Sequence, residues 1–314
     1  MVRFGICTEE QYFRLAKDRR SSNRHVAYSL LDMGDQPTED RIRAFEDISI
    51  LFCTSNGTFR TTFPQRFLDV DEAVIRWMKK AYPRDAEIQI QDRAVSHGLT
   101  SLEWAERVFQ WFPKARFEAS DILLEFFEIS RDGTAYIVEP NGRAIQFVQS
   151  PWVLSLEHPE PKRYPVNQVV ARWAKRRFER LGLGESWIKT AEKQGWRVRN
   201  IPYIHPRARA LAGANPNFQF RVRSVFEATP DACDVIRTMN IFNRAYFSDE
   251  QLSAGAGGIF RSLRPGGLWI VGRTLEEDFS NHVTLLRRGD KAWETLERIG
   301  KGAEIEGLVL GAGS

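Results

Sequence analysis

The sequence predicts an α/β fold with a mostly parallel sheet and helices on both faces. From residue 86 onward, strand-like and helix-like segments alternate, as they do in folds of this class. The strand EIQIQD (87–92) is followed by a run with helical spacing and then by a second strand, ARFEASDI (115–122). Such a unit of about 35 residues is long enough for the right-handed crossover that joins parallel strands.

The first 85 residues are predicted to be mainly helical. Three segments begin near Thr or Asp and carry apolar residues at intervals of three and four: TEEQYFRLAKDRR (8–20), TEDRIRAFEDISILF (38–52) and DVDEAVIRWMKKAY (69–82). We therefore expect a helical N-terminal part over residues 1–85 and an α/β domain over residues 86–314.

A small insertion is predicted at about residues 130–195. TAYIVEPNGRAIQFVQSPWVLSL (134–156) has two strand-like runs around a PNG turn, which is typical of a hairpin. A basic helix at about 166–181 and a shorter helix in GESWIKTAEKQG (184–195) follow.

The last third resumes the alternation of the main sheet. The expected strands lie in WRVRNIPYI (196–204), NFQFRVRSVF (217–226), CDVIRTMNIF (233–242), RPGGLWIVG (264–272) and HVTLLRR (282–288). Expected helices lie in HPRARALAGA (205–214) and SDEQLSAGAGGIFRSL (248–263).

Charge and cysteine content narrow the class of protein. The net charge of +4 permits anionic partners without requiring them. We expect the charged face of the basic helix to be exposed to solvent, with Trp173 and Phe178 directed inward. Nucleic acid is therefore not excluded as a binding partner, but it is not favoured. Three widely spaced cysteines suit neither a disulfide framework nor a zinc site, and no apolar stretch reaches membrane-spanning length. We expect a cytoplasmic protein with no metal and no membrane association.

Candidate binding residues lie where predicted strands end, which is where open α/β sheets bind ligands. In DRAVSHGL (92–99), Asp92 ends a strand, Ala94 and Ser96 are small, and Gly98 begins a helix. Small residues let the backbone approach a ligand, and the N–H groups at a helix start can donate to it. The same segment could also be an ordinary strand-to-helix turn, in which Gly98 adopts a left-handed conformation and no ligand binds.

Further candidates follow along the chain. Asp121 ends the second strand, where its carboxylate could accept the two hydroxyls of a ribose, and it could equally cap a helix in the residues that follow. Phe226 in SVFEAT (224–229) could flank an adenine, and Asn240 leaves the strand CDVIRTMN (233–240).

Taken together, these segments resemble the class I S-adenosylmethionine-dependent methyltransferases, with their glycine-rich loop after the first strand, an acid after the second, a CDVI-like fourth strand and an LRPGGLWIVG-like fifth. The resemblance implies a Rossmann-like fold, S-adenosyl-L-methionine as cofactor, and methyl transfer to an O or N acceptor. The cofactor-binding residues it implies are Asp92, Ala94, Ser96, His97, Gly98, Asp121, Ile122, Ser224, Phe226, Met239 and Asn240.

CDVIRTMNIFNRAYF (233–247) is also similar to the FDVIxCRN pattern of chemotaxis-receptor glutamate methyltransferases. The chain departs from these families at Ala94 and Ser96, where glycines are expected, and at Met239, where the narrower family has Arg. The methyl acceptor of the narrower family is therefore not expected for this chain. Methyl transfer is mainly a matter of positioning, so no catalytic residue is predicted.

Two alternatives follow from the same segments. One is a methyltransferase-like binding or scaffolding protein without turnover, because the side chains of Ala94 and Ser96 could crowd a cofactor. The other is a nicotinamide-dependent oxidoreductase, which shares the loop but leaves CDVI and PGG unexplained. The sequence predicts no oligomeric state.

Overall fold

The computed structural model describes residues 1–16, 25–34, 37–55, 62–158 and 162–311. The chain divides into two compact units, one made of Met1–Thr61 and Leu123–Pro206 and the other of Thr62–Ile122 and Arg207–Ser314. The predicted boundary at residue 85 differs from this division. The third predicted helix, before that boundary, belongs to the second unit because its apolar face packs there.

The helices within the described residues are α1 (Glu9–Ala16), α2 (Glu39–Ser49), α3 (Leu68–Ala81), α4 (Leu99–Trp111), α5 (Pro165–Glu179), α6 (Trp187–Lys193), α7 (Pro206–Ala214), α8 (Asp249–Ser262) and α9 (Glu306–Gly311). A short 3-10 helix spans Tyr28–Leu31. The strands are β1 (Gln89–Arg93), β2 (Arg116–Asp121), β3 (Glu125–Arg131), β4 (Thr134–Val138), β5 (Ala144–Gln149), β6 (Trp152–Ser155), β7 (Arg197–Pro202), β8 (Phe218–Val222), β9 (Cys233–Met239), β10 (Leu263–Thr274), β11 (Asn281–Arg288) and β12 (Trp293–Ile299).

Helix ends follow local capping chemistry. Thr38 caps α2 by accepting from the Arg41 N–H, and Ser248 and Gln251 form a capping box at the start of α8. The helices expected in 38–52, 69–82 and 248–263 are confirmed. Only Glu9–Ala16 of the first expected helix is seen as α1, and residues 17–20 lie outside the described residues.

The second unit contains a seven-stranded sheet in the order β12-β11-β10-β9-β1-β2-β8. Five neighbouring strands, β8, β2, β1, β9 and β10, run parallel, and β11 runs antiparallel to β10 and β12. Ile236 of β9 packs in a cluster with α8 and α9, whereas the neighbouring Arg237 contacts α3 and α4. Successive residues of a strand point to opposite faces, so helices cover both faces. The predicted mostly parallel, Rossmann-like sheet is confirmed.

The first unit contains a five-stranded antiparallel sheet in the order β6-β5-β4-β3-β7. The hairpin predicted around the PNG turn is its β4-β5 pair. WRVRNIPYI, predicted as a strand of the main sheet, instead forms β7 and pairs with β3. The prediction was wrong because Phe126 of β3 and Ile201 of β7, opposite each other, are both buried in the core of this unit. Strand β12 was not predicted at all.

The residues after Asp121 do not form the helix that Asp121 could have capped. They lead into strand β3, so the capping alternative is wrong. The basic helix is α5, and its Ala174 is buried, as expected of an amphipathic helix. Trp173, predicted to point inward, is about half exposed and packs edge-on against Phe147.

Among the described residues, no helix combines the length and apolar character needed to cross a membrane.

Candidate functional site

The candidate site lies at the carboxyl ends of β1, β2 and β9 in the second unit. From β1 the chain continues to β2 and β8 on one side, and later returns to β9 on the other side. The strand order therefore reverses between β1 and β9. This is the topological switch point at which open α/β sheets bind ligands.

The loop after β1 has an unusual backbone. Ala94, Ser96 and Gly98 all adopt the left-handed conformation, with φ of +62°, +58° and +80°. Left-handed geometry costs a non-glycine residue about 1–2 kcal/mol, yet the loop adopts it at Ala94 and Ser96, two of the positions where the resemblance expects glycine. The N–H groups of Ala94 and Val95 both donate to the Ser120 carbonyl, at 2.7 and 3.2 Å, which ties the loop to the end of β2.

Gly98 is held at this position by packing as well as by its backbone angle. A Cβ atom on Gly98 would lie 2.5 Å from Cε1 of Phe220, which is in β8. Real Cβ atoms essentially never come so close to another atom, so any other residue here would have to displace the Phe220 ring. Gly98 is also the residue immediately before α4, and its carbonyl accepts from the Leu102 N–H. The glycine therefore serves the fold whether or not a ligand binds.

Asp121 faces this loop. Its Oδ2 accepts from the Ser96 N–H at 2.8 Å, and its side chain is 5% exposed. A carboxylate has about four lone-pair positions on its two oxygens, so it can accept from more than one donor. The next residue, Ile122, is 61% exposed and offers an apolar surface beside the acid. Sequence reasoning paired Asp121 with the loop, and the structure brings the two together.

Asp92 has a different environment. Its Oδ1 accepts from Nε of Arg237 at 3.0 Å, and its Oδ2 accepts from Nη2 of Arg237 at 2.5 Å and from Oγ of Ser101 at 2.6 Å. Both oxygens of this buried carboxylate therefore bond to protein groups. Asp92 anchors the start of the loop to β9 and to the first turn of α4.

Arg237 is the functional candidate that sequence reasoning missed. Its Nη1 donates to Asp71 of α3 at 2.6 Å, its Nη2 donates to the Thr100 carbonyl at 3.1 Å, and its guanidinium lies 4.3 Å from the Trp104 ring centroid. The side chain is fully buried. An arginine inside an apolar strand was the available signal, because a buried charge must be paired.

The electrostatics of this cluster are dominated by burial. The pKa of Asp71 is raised from 3.8 to about 7 in all: burial raises it most, Arg237 lowers it, and Asp92 raises it. Burial also lowers the pKa of Arg237, but Asp92 and Asp71 outweigh it and the net shift is upward. The guanidinium therefore stays charged, while Asp71 can change its charge near neutral pH.

At the end of β9, Asn240 also adopts a left-handed conformation, with φ of +61°. Its N–H donates to the Gly272 carbonyl at 2.8 Å, and its Oδ1 accepts from the Thr274 N–H at 2.7 Å. These bonds fix Asn240 against the end of β10. The preceding Met239 is buried.

The remaining predicted residues are not all at the exposed edge. His97 is fully buried, so no ligand contacts its ring unless the loop moves. Phe226 packs edge-on against Phe242 and Phe247, with ring centroids 5.8 and 4.8 Å away, in the cluster beneath α8. Ser224 is exposed, and its Oγ accepts from the Phe226 N–H at 3.3 Å. Its position after β8 keeps it at the same edge as Asp121.

The predicted cofactor-binding residues differ in their exposure. Ala94, Ser96 and Asn240 are partly exposed, and Ile122 and Ser224 are exposed, whereas Asp92, His97, Gly98 and Met239 are buried. The partly exposed residues come from the loop after β1 and from the ends of the neighbouring strands. The edge thus combines a left-handed backbone loop, a carboxylate facing it and an apolar side chain beside the carboxylate.

Comparison with known proteins gives only distant likenesses. No family model matches the chain, and no curated protein matches it. Among solved structures, an O-methyltransferase family protein from Burkholderia thailandensis is 14% identical with a TM-score of 0.32, and the match covers 86% of this chain and 53% of that one. A proposed sarcosine dimethylglycine methyltransferase from Galdieria sulphuraria is 12% identical with a TM-score of 0.33, covering 74% of this chain and 56% of that one.

A Pyrococcus horikoshii protein whose name gives no activity is 11% identical with a TM-score of 0.35, and the match covers 87% of this chain and 88% of that one. The chain thus spans little more than half the length of the two methyltransferase structures. Likenesses at these identities and TM-scores do not indicate a function.

Proposed function

We propose that the chain is an S-adenosylmethionine-dependent methyltransferase that transfers a methyl group to an O or N acceptor. The observation that carries the proposal is the left-handed backbone at Ala94, Ser96 and Gly98, in a loop that faces Asp121 at a switch point. Backbone held in a sparsely populated region, at a cost of about 1 kcal/mol or more per residue, is typical of binding sites.

In this proposal the loop's backbone lies along the cofactor, and the Asp121 carboxylate accepts hydrogen bonds from the ribose hydroxyls. Ile122 covers one face of the base, and Asn240 borders the end of the cofactor that carries the methyl group. Asp92 and Arg237 act indirectly by holding the loop and β9 in place. S-adenosylmethionine, when bound, supplies a methyl group that its sulfonium already activates.

Little else is required of the chain's own residues. They have to orient the acceptor in line with the methyl group and exclude water, and a base is needed only where the acceptor must lose a proton. The narrower similarity to chemotaxis-receptor glutamate methyltransferases lies around β9 and β10, and Met239 departs from it, so the acceptor of that family is not part of the proposal.

The test is isothermal titration calorimetry of the full chain with S-adenosylhomocysteine, the product form of the cofactor. Asp121→Asn should weaken binding at least tenfold, which is about 1.4 kcal/mol, because the neutral amide both donates and accepts. Asp85→Asn, an exposed carboxylate just before β1, is the matched control and should leave the affinity unchanged. Absence of binding at millimolar ligand would overturn the proposal.

A second candidate is a binding protein of the same fold without turnover. The observation favouring it is the Cβ atoms that Ala94 and Ser96 place where the resemblance expects glycine. Turnover separates the two: S-adenosylhomocysteine formed from S-adenosylmethionine in a broad acceptor screen supports the enzyme. Binding that depends on Asp121, with no product from any acceptor, supports the binding protein.

A further inference from the structure

Cys53 and His158 meet in the first unit, whereas the residues of the candidate site belong to the second. Sγ of Cys53 lies 2.8 Å from Nε2 of His158, although the two residues are far apart in the sequence. A nucleophile and a base within hydrogen-bond reach are the core of an activated thiol site. Neither residue has a role in the proposed methyl transfer.

The core of the unit fixes Cys53. Its N–H donates to Oη of Tyr28 at 3.4 Å, and that hydroxyl donates to the Leu51 carbonyl at 2.8 Å. The preceding Phe52 is fully buried and stacks on Phe126, with ring centroids 5.2 Å apart. The backbone at Cys53 is therefore held by contacts that do not depend on His158.

His158 is positioned separately. Its N–H donates to Oγ of Ser155, the last residue of β6, at 3.0 Å. Glu139, which follows β4, accepts from the N–H and the Oγ of Ser55, at 2.9 and 2.6 Å, and so ties the residues after Cys53 to the sheet. Because each partner is anchored by its own contacts, the short Sγ to Nε2 distance is preorganised.

The charge state of the pair follows from its surroundings. The titratable groups that act on Cys53 within the described residues are Tyr28, Glu139 and His158. Burial, with the negative charge of Glu139, raises the pKa of Cys53 to about 11. The thiol therefore keeps its proton at neutral pH, and its sulfur lies within hydrogen-bond distance of Nε2 of His158.

We infer that Cys53 is a nucleophilic thiol, with His158 as its general base, that forms covalent adducts with carbon electrophiles. As the new C–S bond forms, the bond to the leaving group breaks and the leaving group takes that electron pair. The Sγ proton passes to Nε2 of His158, which carries it until it is released to solvent. This inference is independent of the proposed methyl transfer.

Iodoacetamide is the probe, and iodide is the leaving group. The full chain is alkylated over a range of pH, digested, and the rate at each cysteine is read by mass spectrometry. Cys7 is the internal control: its thiol is partly buried, burial raises its pKa, and its Sγ contacts the carbonyl of Trp152, not an imidazole. At pH 7 Cys53 should react faster than Cys7 although it is only 6% exposed.

The pH profile of the unmodified chain distinguishes the pair from a simple buried thiol. General-base attack does not require the free thiolate, so the Cys53 rate should stop rising with pH well below the raised thiol pKa of about 11. A thiol that reacts only as free thiolate would instead gain about tenfold per pH unit from pH 8 to 10, as Cys7 should. That second profile at Cys53 would overturn the inference.

His158→Asn is the matching variant. It should slow alkylation of Cys53 by at least about tenfold at pH 7 and leave the rate at Cys7 unchanged. An unchanged rate at Cys53 would overturn the inference. Calorimetric binding of S-adenosylhomocysteine by the same variant reports on the other unit, so failure of this inference and failure of the proposed function give different results.

Discussion

Arg237 and Asp92 form a two-point ion pair inside the seven-stranded sheet, with distances of 3.0 Å from Nε to Oδ1 and 2.5 Å from Nη2 to Oδ2. The pair joins β9 to β1, the two strands between which the strand order reverses. Asp71 of α3 binds the same guanidinium. Arg237, which two carboxylates share, is thus buried between the strands that carry the candidate site.

Removing the arginine should destabilise the protein strongly. Arg237→Met leaves two buried carboxylates without their cation, and breaking a buried pair in this way costs about 3–5 kcal/mol. The measurement is urea unfolding at pH 7. The control is Arg264→Met: Arg264 contacts Asp234 at 2.8 Å but is nearly half exposed, and an exposed pair contributes about 1 kcal/mol or less. Equal losses for the two variants would contradict the buried-cluster interpretation.

The protonation of Asp71 should make stability depend on pH. Because burial raises its pKa from 3.8 to about 7, the folded state binds a proton that the unfolded state has lost between those values. The contribution of Asp71 to the free energy of unfolding is therefore fully present below the unfolded-state pKa. It is lost as the pH rises through the folded-state pKa of about 7. Relative to Asp71→Asn, the wild-type protein should lose unfolding free energy between pH 4.5 and 7.5. A difference that stays constant with pH would show that Asp71 does not titrate in this window.

Gly98→Ala should destabilise the second unit by about 2–4 kcal/mol, from the left-handed backbone and the clash with Phe220 together. Gly213→Ala is the control, because Gly213 lies in α7 with nothing within 4 Å of an added Cβ. That change should be neutral or stabilise by up to about 1 kcal/mol. Thermal unfolding of both variants checks the prediction, which fails if Gly98→Ala melts within a degree or two of the wild type.

Restoring glycine in the loop should strengthen cofactor binding. Ala94→Gly combined with Ser96→Gly removes two side chains beside the proposed cofactor and relieves left-handed strain, while glycine adds an entropy cost of about 0.5–1 kcal/mol per residue. Stability should therefore change little, and calorimetry should give a lower Kd for S-adenosylhomocysteine. A weaker affinity in the double variant would mean that the side chains at these positions contribute contacts.

Part of the site could be predicted from the sequence. Asp121 and the loop around Ala94, Ser96 and Gly98 were paired because each follows an apolar strand, and the ends of neighbouring parallel strands meet at one edge. Phe226 was predicted for the same edge, but its ring packs under α8 against Phe242 and Phe247. The spacing of residues in the sequence predicts which strand a residue follows. It does not predict the direction in which the side chain of that residue points.

The sequence by itself determined several of the helices of this protein. Apolar spacing predicted α2, α3 and α8, and Thr38 marks the expected start of α2, since such signals act within a few residues of one another. Tertiary structure alone decided that β7 joins the five-stranded sheet, and that Asp71 and Asp92 share Arg237. Strand partners and buried ion pairs depend on which distant segments lie side by side, and a local pattern of apolar and polar residues carries no information about that choice.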